Sequence, residues 1–208
     1  MSSIHQLQTS IQEDTTGGWK RGVRVLGVAE SFEKSEARSI IAGVVMRGDL
    51  RIDGFSVCTP TIGGYDSTQE LVSMFKRLNR KDIRAWLLGG SVISWFNIID
   101  LEALNNQTDT PVMCISYNPS EGIEKYLKEY FPDDWELRLS LLEKSGERKS
   151  IQLQTGYSLY LSTVGISINR ARNLIDRLTI DGKVPEPVRV ARTIAAGIHR
   201  DFIKSIMN

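Results

Sequence analysis

Cysteine and histidine are scarce: the 208 residues include two of each, Cys58 and Cys114, His5 and His199. Two cysteines cannot build a disulfide framework or a thiolate zinc site, and both sit in apolar, strand-like runs where buried free thiols are the ordinary state. The histidines lie on a polar N-terminal stretch and on the last helical stretch, with no serine or cysteine at recognisable spacing. A histidine-dependent nucleophilic mechanism therefore has no support in the sequence. An excess of one charge is also missing, since 26 Lys and Arg face 25 Asp and Glu. That balance gives no global attraction to nucleic acid or an anionic membrane, and leaves only a local basic face open. No apolar run approaches the roughly 18 residues of a membrane span, and residues 1–20 lack the apolar core of a signal peptide. The expectation is a cytoplasmic globular protein with no membrane partner. Phosphate-binding loops are absent too: Thr61-Ile62-Gly63-Gly64 and Gly89-Gly90 match neither the Gly-x-x-x-x-Gly-Lys-Ser/Thr loop nor the dinucleotide fingerprint. Turn glycines explain both clusters, although backbone amides in the second could cradle an anion.

What is present is a clear order of elements, within a length that suits one α/β domain. Residues 1–19 are polar, broken at Thr15-Thr16-Gly17-Gly18, and are expected to form a loose arm before a single domain over 20–208. Val23–Val28 and Ile40–Met46 are apolar runs of the kind buried on both sheet faces. Arg51–Thr59 alternates more, as an edge strand does. Gly48-Asp49 predicts a tight hairpin with Gly supplying a positive φ. Leu71, Val72, Phe75 and Leu78 then recur at helical spacing behind Ser67-Thr68-Gln69-Glu70, a capping-box pattern. Ile83–Leu88 is a fourth strand, Asp100–Leu104 a short helix, and Val112–Ile115 a fifth strand. Helices follow over 122–130 and 135–144. Ile151–Leu161 adds a peripheral strand or hairpin, and a helix over 166–178 precedes a last one running from Pro185-Glu186-Pro187 to about Met207. Three strands in a meander, then right-handed β-α-β crossovers, is the order of a ribonuclease H-like fold: a mixed five-stranded sheet flanked by helices, with extra C-terminal helices. In such sheets ligands gather beyond the carboxyl ends of adjacent strands where the winding reverses, which here are the first and fourth.

Those ends are poor in chemistry. A nuclease of this fold needs carboxylates there to hold hard divalent ions. Strand one ends Gly27-Val28-Ala29-Glu30-Ser31 and strand four Leu87-Leu88-Gly89-Gly90. Alternation puts Ala29 and Glu30 on opposite faces, so Glu30 cannot stand in for an acid at 29 without a bulge. The remaining catalytic candidates are Glu30, Asp66 and Asp100, each with an ordinary alternative as a solvated strand-end acid, a turn stabiliser or a helix cap. On the last helix Arg189, Arg192, His199, Arg200 and Lys204 lie away from the apolar stripe of Ala191, Ile194, Ala195, Ile198 and Phe202. With Arg170, Arg172 and Arg177 they could form a face for phosphates. Of these, Arg189, Arg192 and Arg200 are the candidate nucleic-acid-binding residues.

From about Arg24 to Arg192 the chain resembles a mainly archaeal family of unknown function related to endonuclease V. The resemblance is carried by Arg24-Val25-Leu26-Gly27-Val28, by Phe96-Asn97-Ile98-Ile99-Asp100 and, most specifically, by Gly182-Lys183-Val184-Pro185-Glu186-Pro187-Val188-Arg189. It implies a ribonuclease H-like fold and, by relation, magnesium-dependent cleavage next to a deaminated base. In that family strand one ends Gly-Val-Asp-Asp and strand four Leu-Asp-Gly. Here Ala29 replaces the first Asp and Gly89 the strand-four acid; only Glu30, matching the second Asp, and Asp66 keep acidic character. The expectation is an altered pocket of Ala29, Gly89 and Gly90, no metal or other cofactor, and a non-catalytic protein that retains a groove for DNA or RNA. The alternative is a magnesium-dependent endonuclease with a rearranged site. A third reading is a protein-interaction subunit, for which Trp95 and Trp135 are candidate contacts.

Overall fold

The computed structural model describes residues 18–118 and 122–203. The expected loose arm lies outside them up to residue 17, and so does the expected end of the last helix from 204 on, with Lys204. Trp19 belongs to the body: its indole Nε1 donates to the Arg170 carbonyl at 2.9 Å, and the Arg170 guanidinium sits 4.6 Å from its ring centre.

Strands β1 (Arg24–Ser31), β2 (Ile40–Arg47) and β3 (Ile52–Cys58) form the antiparallel meander, and helix α1 (Ser67–Leu78) leads to β4 (Ile83–Leu88), parallel to β1. A two-stranded ribbon, β5 (Val92–Ile93) and β6 (Asn97–Ile98), precedes α2 (Leu101–Thr108) and β7 (Val112–Ser116), which lies parallel to β4. Helices α3 (Ile123–Tyr130) and α4 (Trp135–Glu143) follow. The hairpin of β8 (Lys149–Gln152) and β9 (Ser158–Val164) then extends the five expected strands to seven, in the order β3-β2-β1-β4-β7-β9-β8. Helices α5 (Ile168–Arg177) and α6 (Glu186–Ile198) complete the fold, and His199–Ile203 continue α6 as a π-helical turn.

The central strands β1, β2, β4 and β7 are buried on both faces, and period-two alternation decides which side chain goes where. Val25 and Ala29 of β1 join the core under α5 and α6, while Leu26 and Val28 join the opposite core under α1 and α2. At the far end of the sheet Arg24 pairs with Asp53 and Asp82, tying β1, β3 and the start of β4 together.

Three local expectations need correction. Gly48 does not supply a positive φ; Leu50 does, at 66°. Gly48 is needed for space, because a Cβ there would lie 2.9 Å from Val23 Cγ1 and 3.0 Å from the Arg21 carbonyl oxygen. The capping box at α1 does not form: the Ser67 N–H donates to Asn97 Oδ1 at 3.1 Å, so a tertiary partner takes the place of the local one. His199 does not join a solvated basic face; it is 6% exposed.

Candidate functional site

The carboxyl ends of β1 and β4 meet α6 at a small cavity of about 100 Å³ lined by Ala29, Glu30, Gly89, Gly90 and Arg192 among others. Glu30, on the face opposite Ala29, turns toward the ribbon. Its Oε2 accepts the Ser94 backbone N–H at 2.5 Å and the Ser94 hydroxyl at 3.2 Å. Burial raises its carboxyl from 4.5 to about 7, against the pull of both Ser94 donors and the positive charge of Arg192. The folded state thus holds this proton more tightly than the unfolded chain. Its stabilising contribution is complete below pH 4.5 and disappears as pH rises through about 7. Glu30→Gln keeps an acceptor for Ser94 but carries no charge. We expect it to match the native protein at pH 5 and to exceed it at pH 8 by about 2 kcal/mol in denaturant titrations, a value reduced for partial solvent access.

The other candidate acids are engaged in structure. Asp66 accepts from the Thr61 N–H (3.0 Å), the Thr61 hydroxyl (2.7 Å) and Asn97 Nδ2 (2.7 Å). Burial opposes its ionisation, yet these bonds outweigh burial and hold it below the usual carboxylate range. Asp100 caps α2, accepting the Ala103 N–H at 2.8 Å. Among the described residues, no group of three or more His, Cys, Asp or Glu converges as a metal site would require. The donors present therefore do not fit the magnesium centre that the resemblance implies, because neither Ala29 nor Gly89 has a ligating atom in its side chain and Glu30 is committed to Ser94.

The candidate basic residues separate. Arg189 is neutralised by Asp181 (2.8 Å) and Glu186 (3.1 Å), and Arg200 by Asp201 (2.8 Å). Arg192 forms no ion pair among the described residues and lines the strand-end cavity. Its charge also reaches Tyr117, whose hydroxyl burial pushes up to about 12 against Arg192 and Arg189.

Beyond this cavity, between the ends of β4, β7 and β9 and helices α3 and α4, lies a groove of about 870 Å³. Gly89 and Gly90 line both spaces. Three hydroxyls of groove residues, Tyr117 Oη, Ser145 Oγ and Ser162 Oγ, are buried without a hydrogen-bond partner among the described residues. Buried polar atoms of this kind usually have a partner, protein or water. Cys114, also on the wall, is no nucleophile at neutral pH, since burial raises its thiol to about 12.

Two features of the site were not anticipated. One is Arg138, 3% exposed, whose guanidinium bonds to the carbonyls of Gly63 (2.8 Å) and Phe96 (2.8 Å) and to Asp134 (3.0 Å). It pins α4 to the two loops beside the groove. The other is a polar relay at the end of β1. The Ser31 hydroxyl lies 3.1 Å from His199 Nδ1, and His199 Nε2 lies 2.6 Å from Glu36 Oε2. It fixes the end of α6 against the β1–β2 loop.

Comparison with known proteins matches this arrangement. The sequence model of the endonuclease dU family covers residues 21–199. A UPF0215 protein of Pyrobaculum calidifontis is 36% identical over 179 residues, spanning 86% of this chain and 97% of its own. The crystal structure of a protein of unknown function from Archaeoglobus fulgidus superposes with a TM-score of 0.74 at 29% identity, covering 84% of this chain and 97% of that one. Endonuclease V of Ciona intestinalis, solved with a 24mer DNA containing an inosine followed by a ribo-adenosine, shares the fold with a TM-score of 0.59 at 15% identity, covering 91% and 89%. The sheet is thus the ribonuclease H-like one expected from the order of elements, and the chain belongs to the endonuclease dU family, an archaeal, endonuclease V-like group.

Proposed function

We propose that this protein binds nucleic acid in the strand-end groove without cleaving it. The observation that carries the reading is that the ends of β1 and β4 offer Ala29 and Gly89, where the resemblance implies carboxylates, with Glu30 turned onto Ser94. Hydrolysis of a phosphodiester at such a site depends on ions held by those carboxylates. Arg192 provides a positive charge there instead, suited to a backbone phosphate. The larger groove, lined by Phe96 and Tyr126 beside the polar side chains of Ser116, Asn118 and Arg148, has the volume for an unpaired nucleoside. We place the protein in the cytoplasm, where the two free buried thiols remain reduced.

The family description supplies the probe: a fluorescein-labelled DNA strand containing one deoxyuridine, with an inosine-containing strand and an RNA as comparators. We expect binding at low salt and no product with magnesium or manganese. Arg192→Ala should weaken binding about tenfold and flatten the salt dependence by about one phosphate contact. Absence of binding overturns the reading. Metal-dependent cleavage that disappears in Glu30→Gln or Asp66→Asn overturns it in favour of a rearranged nuclease site.

A further inference from the structure

The turn of the β5–β6 ribbon carries three successive residues in the left-handed region, Ser94, Trp95 and Phe96, with φ of 46°, 57° and 62°. None is glycine, and each is strained there because Cβ crowds the following carbonyl. Such a turn persists only when its surroundings over-determine it, and here they do. Ser94 is bonded through its N–H to Glu30, through its hydroxyl to Ser39 at 2.5 Å, and through its carbonyl to the Gly63 N–H at 2.7 Å. The Phe96 carbonyl accepts from Arg138, and the Asn97 amide bonds to Thr61 and Asp66. Glu30 thus acts as a positioning residue for this turn.

The strained turn presents aromatic rings at the surface. Trp95 packs against Tyr130 at 4.9 Å between ring centres and against Phe96 at 5.1 Å, while the exposed Lys34 ammonium rests 3.4 Å from the Trp95 ring centre. On α3, Tyr126 and Tyr130 stay 49% and 43% exposed. Phe96 and Tyr126 also line the large groove, so the rings form a shelf at its rim. Core packing does not account for it, because α3 buries only Leu127.

We infer that this shelf stacks an unpaired base of a single strand, next to the nucleotide held in the groove. A base takes the Trp95 face now covered by Lys34, and the ammonium moves to the neighbouring phosphate. Aromatic faces accept any base, so the shelf gives affinity for single strands without choosing sequence. A lysine on a tryptophan also matches a polyanion better than an apolar protein surface. A duplex keeps its bases stacked and gains nothing from the ring.

This inference rests on the nucleic-acid reading, and one titration separates the two. A labelled single strand and the same strand in duplex form are titrated by anisotropy into native protein, Trp95→Ala, Trp95→Phe and Tyr130→Ala. We expect Trp95→Ala to weaken the single strand about 10- to 100-fold, Trp95→Phe to restore most of that loss, and duplex affinity to change less than about twofold. Tyr130→Ala, at a half-exposed position where folding is safe, should cost the single strand several-fold. Trp95→Ala and Tyr130→Ala variants that bind single strands as well as native protein overturn the shelf and leave the groove reading standing. Equal losses for single strand and duplex also overturn the shelf. Native protein that binds neither form overturns both.

Discussion

Arg138→Met is expected to destabilise the protein by about 2–4 kcal/mol, because two backbone carbonyls lose a charged donor while Asp134, 32% exposed, regains water. Methionine fills similar space but donates nothing. The change leaves the carbonyls of Gly63 and Phe96 without the guanidinium, and Asp134 without its buried partner. Each orphaned buried acceptor carries a desolvation cost of about 1–3 kcal/mol, not fully additive. The ring faces of Tyr65 and Phe131, 4.3 Å and 3.9 Å from the guanidinium carbon, lose a cation between them as well. Lysine should not rescue the site, since a single ammonium cannot span carbonyls from two loops and a carboxylate. Denaturant titration gives the magnitude, and amide exchange locates it: protection should fall first over residues 61–66 and 94–97, which Arg138 joins. Arg148→Met is the control, because among the described residues Arg148 makes one side-chain hydrogen bond, to the Ser116 hydroxyl at 3.1 Å, and otherwise lies 5.8 Å from the Tyr160 ring centre; it should cost under about 1 kcal/mol.

The contrast between Arg138 and its helix explains how much of this site a sequence reader can see. The sheet order was legible because the hydrophobic period changes sharply from runs such as Ile40–Met46 to the helical spacing of Leu71 through Leu78. The empty strand ends were legible because alternation along β1 assigns Ala29 and Glu30 to opposite faces, and they lie on opposite faces. What Glu30 does instead was not legible, since Ser94 is 64 residues away. The same holds for His199, which meets Ser31 and Glu36 across 168 and 163 residues. Local grammar also misled where tertiary partners were better. Ser67 and Glu70 form a capping pattern, but Asn97 takes the Ser67 N–H and Asp66 turns back onto Thr61. Arg138 offers no signal in its own segment, where it reads as one more charge on an amphipathic helix.

Gly27→Ala should be at least as damaging, with a loss of about 3 kcal/mol or more and binding lost alongside stability. A Cβ on Gly27 would lie 2.3 Å from Pro187 Cβ, 2.5 Å from the Pro187 carbonyl carbon and 2.7 Å from its oxygen. These are a ring and a backbone at the start of α6, neither of which can swing aside, so the helix itself must lift from β1. Overpacking a core commonly costs about 1–3 kcal/mol, and obstruction by backbone belongs at or beyond the upper end. Lifting α6 also carries Val188 and Arg192 away from the strand ends. Gly89→Ala separates sterics from chemistry. Its Cβ would meet Val188 Cγ1 at 3.0 Å and the Val28 carbonyl oxygen at 3.2 Å, contacts that a shift of a few tenths of an ångström relieves. We expect it to cost about 1 kcal/mol, read from the same denaturant titration. Side chains are therefore excluded at 27 by the approach of α6 but admissible at 89. Gly89→Asp together with Ala29→Asp is the pair of changes that would return ligating oxygens to both strand ends, at the cost of the small shift that a Cβ at 89 demands of Val188 and the Val28 carbonyl.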